Sequence, residues 1–463
     1  MVQASHALDR IQVSADDESL INDAGLLLPA TLGQRLGLPG LLDSRVTAGA
    51  NAGDKCLSVI HSALAGGDCI DDVNALRAGA TETVLGHRAV AASTVGTFLR
   101  SMSWGHARQL DAVARAVLAR AAGLGAVETT PPDDAAVVVD IDATLVETYG
   151  LDKSGARQVM RTGRRGYHPL LAVMAGTGDV LHARLRRGRT NDSSGAGSFL
   201  AETLSRVRAA GAGGPVVVRA DTGFYLADVL TACRRHRAGF SVGARMIGRM
   251  RATIAAIDES QWTPVPYFEP GAAVTELGWR VFDRDHRRRD GLPGRHRGAG
   301  VWVRLIVRRT PTPPAIRDRR AAAGQLELFP GYDYHPFITD QSGDPVELDR
   351  FHRAHAEVEL AIRDLKHGLA LSHLPSKRFG ANQAWLVLQT LAHNLGRWSA
   401  RLAGLAATPR QTIKTLRRRY LRVAARLSSH ARRHQLRLPA HWPWVHAFIA
   451  GLHRLRALPG PAG

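Results

Sequence analysis

Cysteine is scarce in this 463-residue chain: Cys56, Cys69 and Cys233 are the only three, in no CxxC pair and no metal-ligand spacing. That excludes a disulfide scaffold and a cysteine-built zinc site, and it fits a reducing compartment. No stretch approaches the ~18 consecutive apolar residues that a membrane span requires. The first twenty residues carry no apolar run behind a basic start, so the sequence predicts no signal peptide and a soluble intracellular chain. GxxxxGK followed by Ser or Thr is missing, so no phosphate-binding loop and no use of ATP are expected. HExxH is missing too, and the His pairs at 352/355 and 430/434 lie in basic surroundings without further ligands. Acidic residues are the other shortage. There are 41 Asp and Glu against 61 Lys and Arg, a net charge of +20. An excess of that size points to a polyanionic partner, nucleic acid first and an anionic membrane surface second.

Apolar residues make up 45% of the chain, enough for a core spread over several domains. From 16 to 126 the apolar spacing of three and four predicts helices, and two short ones ending at Arg100 suit either a helix-turn-helix or plain packing. The linker "ETTPPDDAA" (128–136) changes the rhythm. "AVVVDIDAT", "HPLLAVMAG" and "DVLHARLRRG" read as three antiparallel strands, followed by a helix, the strand "PVVVRAD", a second helix and the strand "GFSVGAR". That order is the order of a ribonuclease-H-like α/β sheet. Strand-like segments recur between 257 and 341, with "TPTPPAIRDRRAAAG" read as a loop. A long helix is expected over about 346–367, and residues 381–463 are expected to be helical and Arg-rich. The organisation expected is a helical N-terminal DNA-binding region (1–127), a catalytic core (135–256 and 342–380), a β-rich insertion (257–341) and a basic helical C-terminal region (381–463).

Two carboxylates interrupt the first strand. Asp140 and Asp142 are two residues apart and share a face. Paired acids repel and are costly to bury unless a cation sits with them, so the strand either ends in a metal site or frays and leaves both acids solvated. Asp221 ends the apolar run "VVVRA", where ligands of α/β sheets gather, although a helix-capping Asp reads the same way. A third acid comes from the helix "VELDRFHRAHAEVELAIRDLKHG". Phased at ~100° per residue, Phe351, Val358, Ile362, Leu365 and Leu369 form its apolar stripe. Glu359 lies at the stripe's edge with His352, His355 and Lys366 on its face, while Glu357 and Asp364 are expected on the solvated side. An ion-paired helix edge is the plain alternative. Two Asp and one Glu are the hard oxygen ligands that Mg²⁺ accepts, and two such ions suit phosphodiester displacement.

Taken together these blocks resemble the DDE transposases of bacterial insertion sequences, in the IS 4-like group and nearest the insertion-sequence family 1380. "LAGGDCIDDVNALR" and "ASTVGTFLRSM" are similar to its helical N-terminal part. "VVVDIDATLVETYG" with "RRGYHPLLAV" resembles the first-Asp block, "VVVRADTGFYLADVL" the second, and "YHPFITD" the strand before the third acid. The resemblance implies Asp142, Asp221 and Glu359 as the catalytic and metal-binding triad, Mg²⁺ (or Mn²⁺) as cofactor, and Lys366 as a contact to end DNA. It makes Asp140 either a neighbour that supports the site or a solvated acid. It further implies double-stranded DNA, both transposon ends and target, as partner, a homodimer in the synaptic complex, and a cytoplasmic, nucleoid-associated bacterial protein. The family's helix reads Y-x2-R-x3-E-x6-K. Here His352 and His355 stand at the Tyr and Arg places that hold the terminal phosphate, and neutral imidazole holds phosphate less well than an Arg fork. Arg363, one turn beyond Glu359, is the residue placed to compensate. A ribonuclease-H-like nuclease without strand transfer and a catalytically impaired DNA-binding relative are the alternatives.

Overall fold

The computed structural model describes residue 8 and residues 11–133, 135–159, 163–191, 193–282, 300–322, 331–408, 411–430 and 433–461. A nine-stranded sheet organises the middle of the chain. In chain order its strands are β1 (Val137–Ala143), β2 (Leu170–Met174), β3 (Val180–Arg184), β4 (Val216–Ala220), β5 (Gly239–Gly243), β6 (Thr263–Pro264), β7 (Ala273–Val281), β8 (Val301–Pro311) and β9 (Tyr332–Thr339). Across the sheet they run β6-β7-β8-β9-β5-β4-β1-β2-β3. β1, β4 and β5 are mutually parallel; every other pairing is antiparallel. The half β3-β2-β1-β4-β5 is a mixed sheet of three antiparallel strands followed by two parallel ones, the α/β strand sequence read from the chain.

The central strands are parallel and apolar because helices cover both faces. Val216, Val217 and Val218 of β4 are each at most 3% exposed, a gain of about 1.5–3 kcal/mol per side chain. β2 returns to β3 through a turn in which Gly176 and Gly178 take φ of 77° and 73°, a conformation costly for other residues. The β-rich stretch 257–341 does not stand apart: β9 pairs with β5, joining Phe337 to Gly243 and Thr339 to Ser241, so it extends the same sheet.

At the opposite edge, β3 meets the helix Phe379–Leu402, buried over most of its length. Asn394 of that helix bonds both the N–H and the C=O of Val180, at 2.9 and 2.7 Å, and Gln383 accepts from Leu185 N at 2.6 Å. Edge groups open to another strand are thereby closed. The other side of the helix packs on the N-terminal helices Ala52–Ala65, Ala92–Ser101 and Trp104–Gly123, so N- and C-terminal helices share one apolar core with the sheet.

Two expectations are corrected. The loop reading of "TPTPPAIRDRRAAAG" gives way to a helix over Pro314–Ala322, with proline in its first turn where a missing N–H costs nothing. The uniformly helical C-terminal region contains a hairpin, Ala425–His430 with Arg433–Arg437, whose first strand also pairs with Leu20–Ile21. The cross-strand pair Leu427/Leu436 packs on a small cluster around Ile21 and Val423, a period-two pattern hidden among the arginines.

Candidate functional site

The parallel register of β1 and β4 builds the site. Asp140 lies opposite Arg219 and Ile141 opposite Ala220. One residue beyond that last pair, at the carboxyl ends of both strands, stand Asp142 and Asp221. Asp142 is partly exposed and accepts a bond from Ala143 N at 2.7 Å. Asp221 is exposed, opens the turn Thr222–Phe224 and accepts from Gly223 N at 2.9 Å. Gly243, at the end of β5, backs this turn: a Cβ there would sit 2.7 Å from Thr222 N, so only glycine lets the Asp221 turn lie so close.

Asp140 has a different surrounding from Asp142. It is 1% exposed and grips Arg219 through both oxygens, Nε at 2.8 Å and Nη2 at 2.9 Å, while His355 Nδ1 lies 3.1 Å away. It is therefore not a solvated acid. Arg219, 3% exposed, uses Nη1 to bond the carbonyl of Phe351 at 2.7 Å, with the Phe351 ring 4.9 Å from its guanidinium carbon.

The third acid arrives on an interrupted helix. Pro345–Arg353 is capped by Asp344, whose carboxylate accepts from Val346 N. A 3-10 turn, Ala354–Glu357, intervenes before the helix Val358–Gly368. The single long helix expected over 346–367 is thus broken, and the tighter turn of ~120° per residue rotates its second half. The predicted stripe holds in that half: Val358, Ile362, Leu365 and Leu369 are buried. Glu359 and Arg363 are exposed. The polar contacts chart the course of this segment over the sheet. His352 reaches Ser241 of β5 at 2.9 Å, His355 reaches Asp140 of β1, and Lys366 Nζ reaches Thr144 Oγ1 at 2.6 Å and Leu145 O at 2.9 Å just past β1. Glu359 lies between the last two anchors, hence along the stretch that carries Asp142.

Burial lowers the pKa of Lys366, and the charges of Asp142 and Glu147 oppose that shift, so the ammonium senses Asp142 directly. His352 stacks on Phe337 at 4.2 Å, and its pKa is pushed down to about 3, first by desolvation and then by His355, Arg219 and Arg308. Nδ1 of each of His352 and His355, the residues at the family's Tyr and Arg places, is directed to the sheet, at Ser241 and Asp140. Asp364 is a further correction. It is buried, not solvated, accepting from Ile413 N at 3.1 Å with His393 and Arg397 within 3.6 Å. Glu357 is half-buried and, with Arg363, lines a cavity of about 270 Å³ between this helix and the β2–β3 turn.

Asp142, Asp221 and Glu359 offer only carboxylate oxygens, a donor set suited to a hard divalent cation. Their oxygens do not gather within 4.8 Å as a set; among the described residues two other groups do, Asp68 with Cys69 and Asp72, and Asp111 with His182 and Glu202, and Arg108, Arg184 and Arg206 neutralise the second. Sequence reasoning missed Arg219, Ser241 and Gly243. An arginine inside "VVVRA", an otherwise apolar buried strand, was the available signal.

Comparison with known proteins gives a family. The family model described as "Transposase DDE domain group 1" matches residues 4–289 and 317–460, most of the chain. No curated protein matches. Among solved structures, the chain is similar to a piggyBac transposase synaptic complex with hairpin DNA, at 11% identity and a TM-score of 0.44 over 87% of this chain and 80% of that one.

Proposed function

The chain belongs to the DDE transposase family, and from that premise we propose that Asp142, Asp221 and Glu359 are its catalytic triad. It is a DNA transposase, an enzyme of metal-dependent strand cleavage and transfer. The placement of Asp142 beside Asp221 at the ends of two parallel strands, with the Glu359 helix laid across them, is the observation that carries the assignment.

The oxygen donors suit Mg²⁺ or Mn²⁺, which supplies Lewis acidity for phosphodiester displacement. This chain's residues then divide the work. Asp142 and Asp221 are held by backbone N–H bonds at 2.7 and 2.9 Å, so their oxygens are aimed before DNA arrives. Glu359 and Arg363 stand exposed on one helix face, where Arg363 meets phosphate. Lys366, anchored at Thr144, lies beside Asp142 and contacts end DNA. Within the family we place the chain in the IS 4-like group, nearest the insertion-sequence family 1380. Its substrates are double-stranded transposon ends and target DNA, engaged as a homodimer without ATP. No described helix is long and apolar enough to cross a membrane.

The test is substitution with shape retained. Asp142→Asn, Asp221→Asn and Glu359→Gln should each abolish nicking and strand transfer on end DNA in Mg²⁺, while DNA binding persists. Glu357→Gln should be near neutral. Nicking that survives Glu359→Gln but not Glu357→Gln would overturn the assignment.

A further inference from the structure

We propose that Arg219 is a positioning residue that fixes the third carboxylate over the other two. The inference rests on the triad reading and goes beyond it, because Arg219 belongs to no part of that triad. One guanidinium joins three pieces of chain. Its fork holds Asp140 on the neighbouring strand, its backbone lies in β4 two residues before Asp221, and Nη1 holds the Phe351 carbonyl eight residues before Glu359. Phe351 lies over the guanidinium, and His355 returns from the helix to the same Asp140. His352, bonded to Ser241 directly beside Arg219 in the sheet register, extends the seam.

The consequence is twofold. Asp140 has its charge matched within the core, so it does not add to the repulsion between Asp142 and Asp221. The helix is also tied at a backbone atom, so its position does not depend on a side-chain rotamer. A planar fork with five N–H donors makes these three bonds at once, which an ammonium on a flexible stem does not reproduce. A fully buried ion pair is not needed for stability alone, since apolar replacement of such pairs is often neutral or stabilising.

That last point provides the experiment. The paired change Asp140→Leu with Arg219→Met removes both charges together and leaves neither unpaired. The full-length double variant should fold and bind end DNA within about threefold of wild type. Nicking should fall roughly 10–100-fold in kcat, and Mn²⁺ binding without DNA, read by electron paramagnetic resonance, should weaken by a similar factor. Amide exchange over residues 354–366 should speed up. Arg219→Lys, which retains the charge but not the fork, should show the same direction with smaller size, and it decides the matter should the double variant not fold. Wild-type nicking and unchanged exchange in either variant would overturn the proposal. Faster exchange in that helix, with Asp142→Asn still nicking, would instead sink the triad reading and leave the tether standing.

Discussion

Asp140 and Asp142 differ by two residues in sequence and by their neighbours on the adjacent strand. Asp140 meets a cation at its own level; Asp142 meets another carboxylate at the next. The charge of the first is matched in the core by Arg219, whereas the second is partly exposed at the strand's end, with Lys366 sensing its charge. His352 permits a pH prediction at this scale. Its pKa in the fold is about 3 against an ordinary value near 6.5, so the unfolded chain binds the extra proton between those limits. Stability is therefore fully present above pH ~6.5 and lost as pH falls towards 3, with a slope of at most about 1.4 kcal/mol per pH unit from this group. Of the groups facing it, His355, Arg219 and Arg308 favour the neutral form, and the bond at Ser241 opposes them weakly. Denaturant titrations at pH 7.5 and 5.0 should show His352→Gln losing less stability on acidification than wild type; equal losses would contradict the assignment. It also follows that protonation of His352 does not raise cleavage between pH 7.5 and 6.5.

The third-acid helix is held on two sides near its C-terminal end. Lys366 ties one side to the end of β1, and Asp364 ties the other to the start of the helix Ile413–Leu416 and to the long helix through His393 and Arg397. Asp364→Ala removes the carboxylate that the Ile413 amide, the His393 ring and the buried Arg397 guanidinium share. Breaking one side of a buried pair in this way should cost about 3 kcal/mol or more. Urea unfolding is the check, and a change under about 0.5 kcal/mol would mean that water or Gln411 replaces the carboxylate at little cost. DNA affinity should be unaffected, since this side of the helix faces protein.

For the molecule as a whole, a net charge of +20 on a DNA-transposing enzyme sets its association behaviour. If 6–10 phosphates are neutralised, affinity for end DNA should fall roughly 10³–10⁵-fold between about 50 and 200 mM salt. Fluorescence anisotropy across that range measures the slope, and a flat response would count against extensive phosphate contact. Charge also marks the C-terminal hairpin, whose cross-strand pair Arg426/Arg437 sets like charges opposite each other. Asp17 offsets this at Arg426, 3.0 Å away.

The local pattern was sufficient for the central strands. Alternation and apolar runs located β1 to β5 and their order implied the sheet; they marked Asp140 and Asp142 as a pair, Asp221 at a strand's end and Glu359 at a stripe's edge, and only the family resemblance chose Asp142 over Asp140. Those features were legible because strand period, turn residues and helical spacing are properties of a few consecutive residues. What only the tertiary structure decided depends on which distant segment arrives beside each side chain. Asp140 is neutralised because Arg219 is 79 positions away in sequence but its direct neighbour in parallel register. Asp364 is buried because residues 412–416 and the long helix cover a face that periodicity assigned to water. His352 faces Ser241 and Phe337 because β5 and β9 pair beneath it. Sequence period tells which residues share a face; it carries no record of what that face will meet.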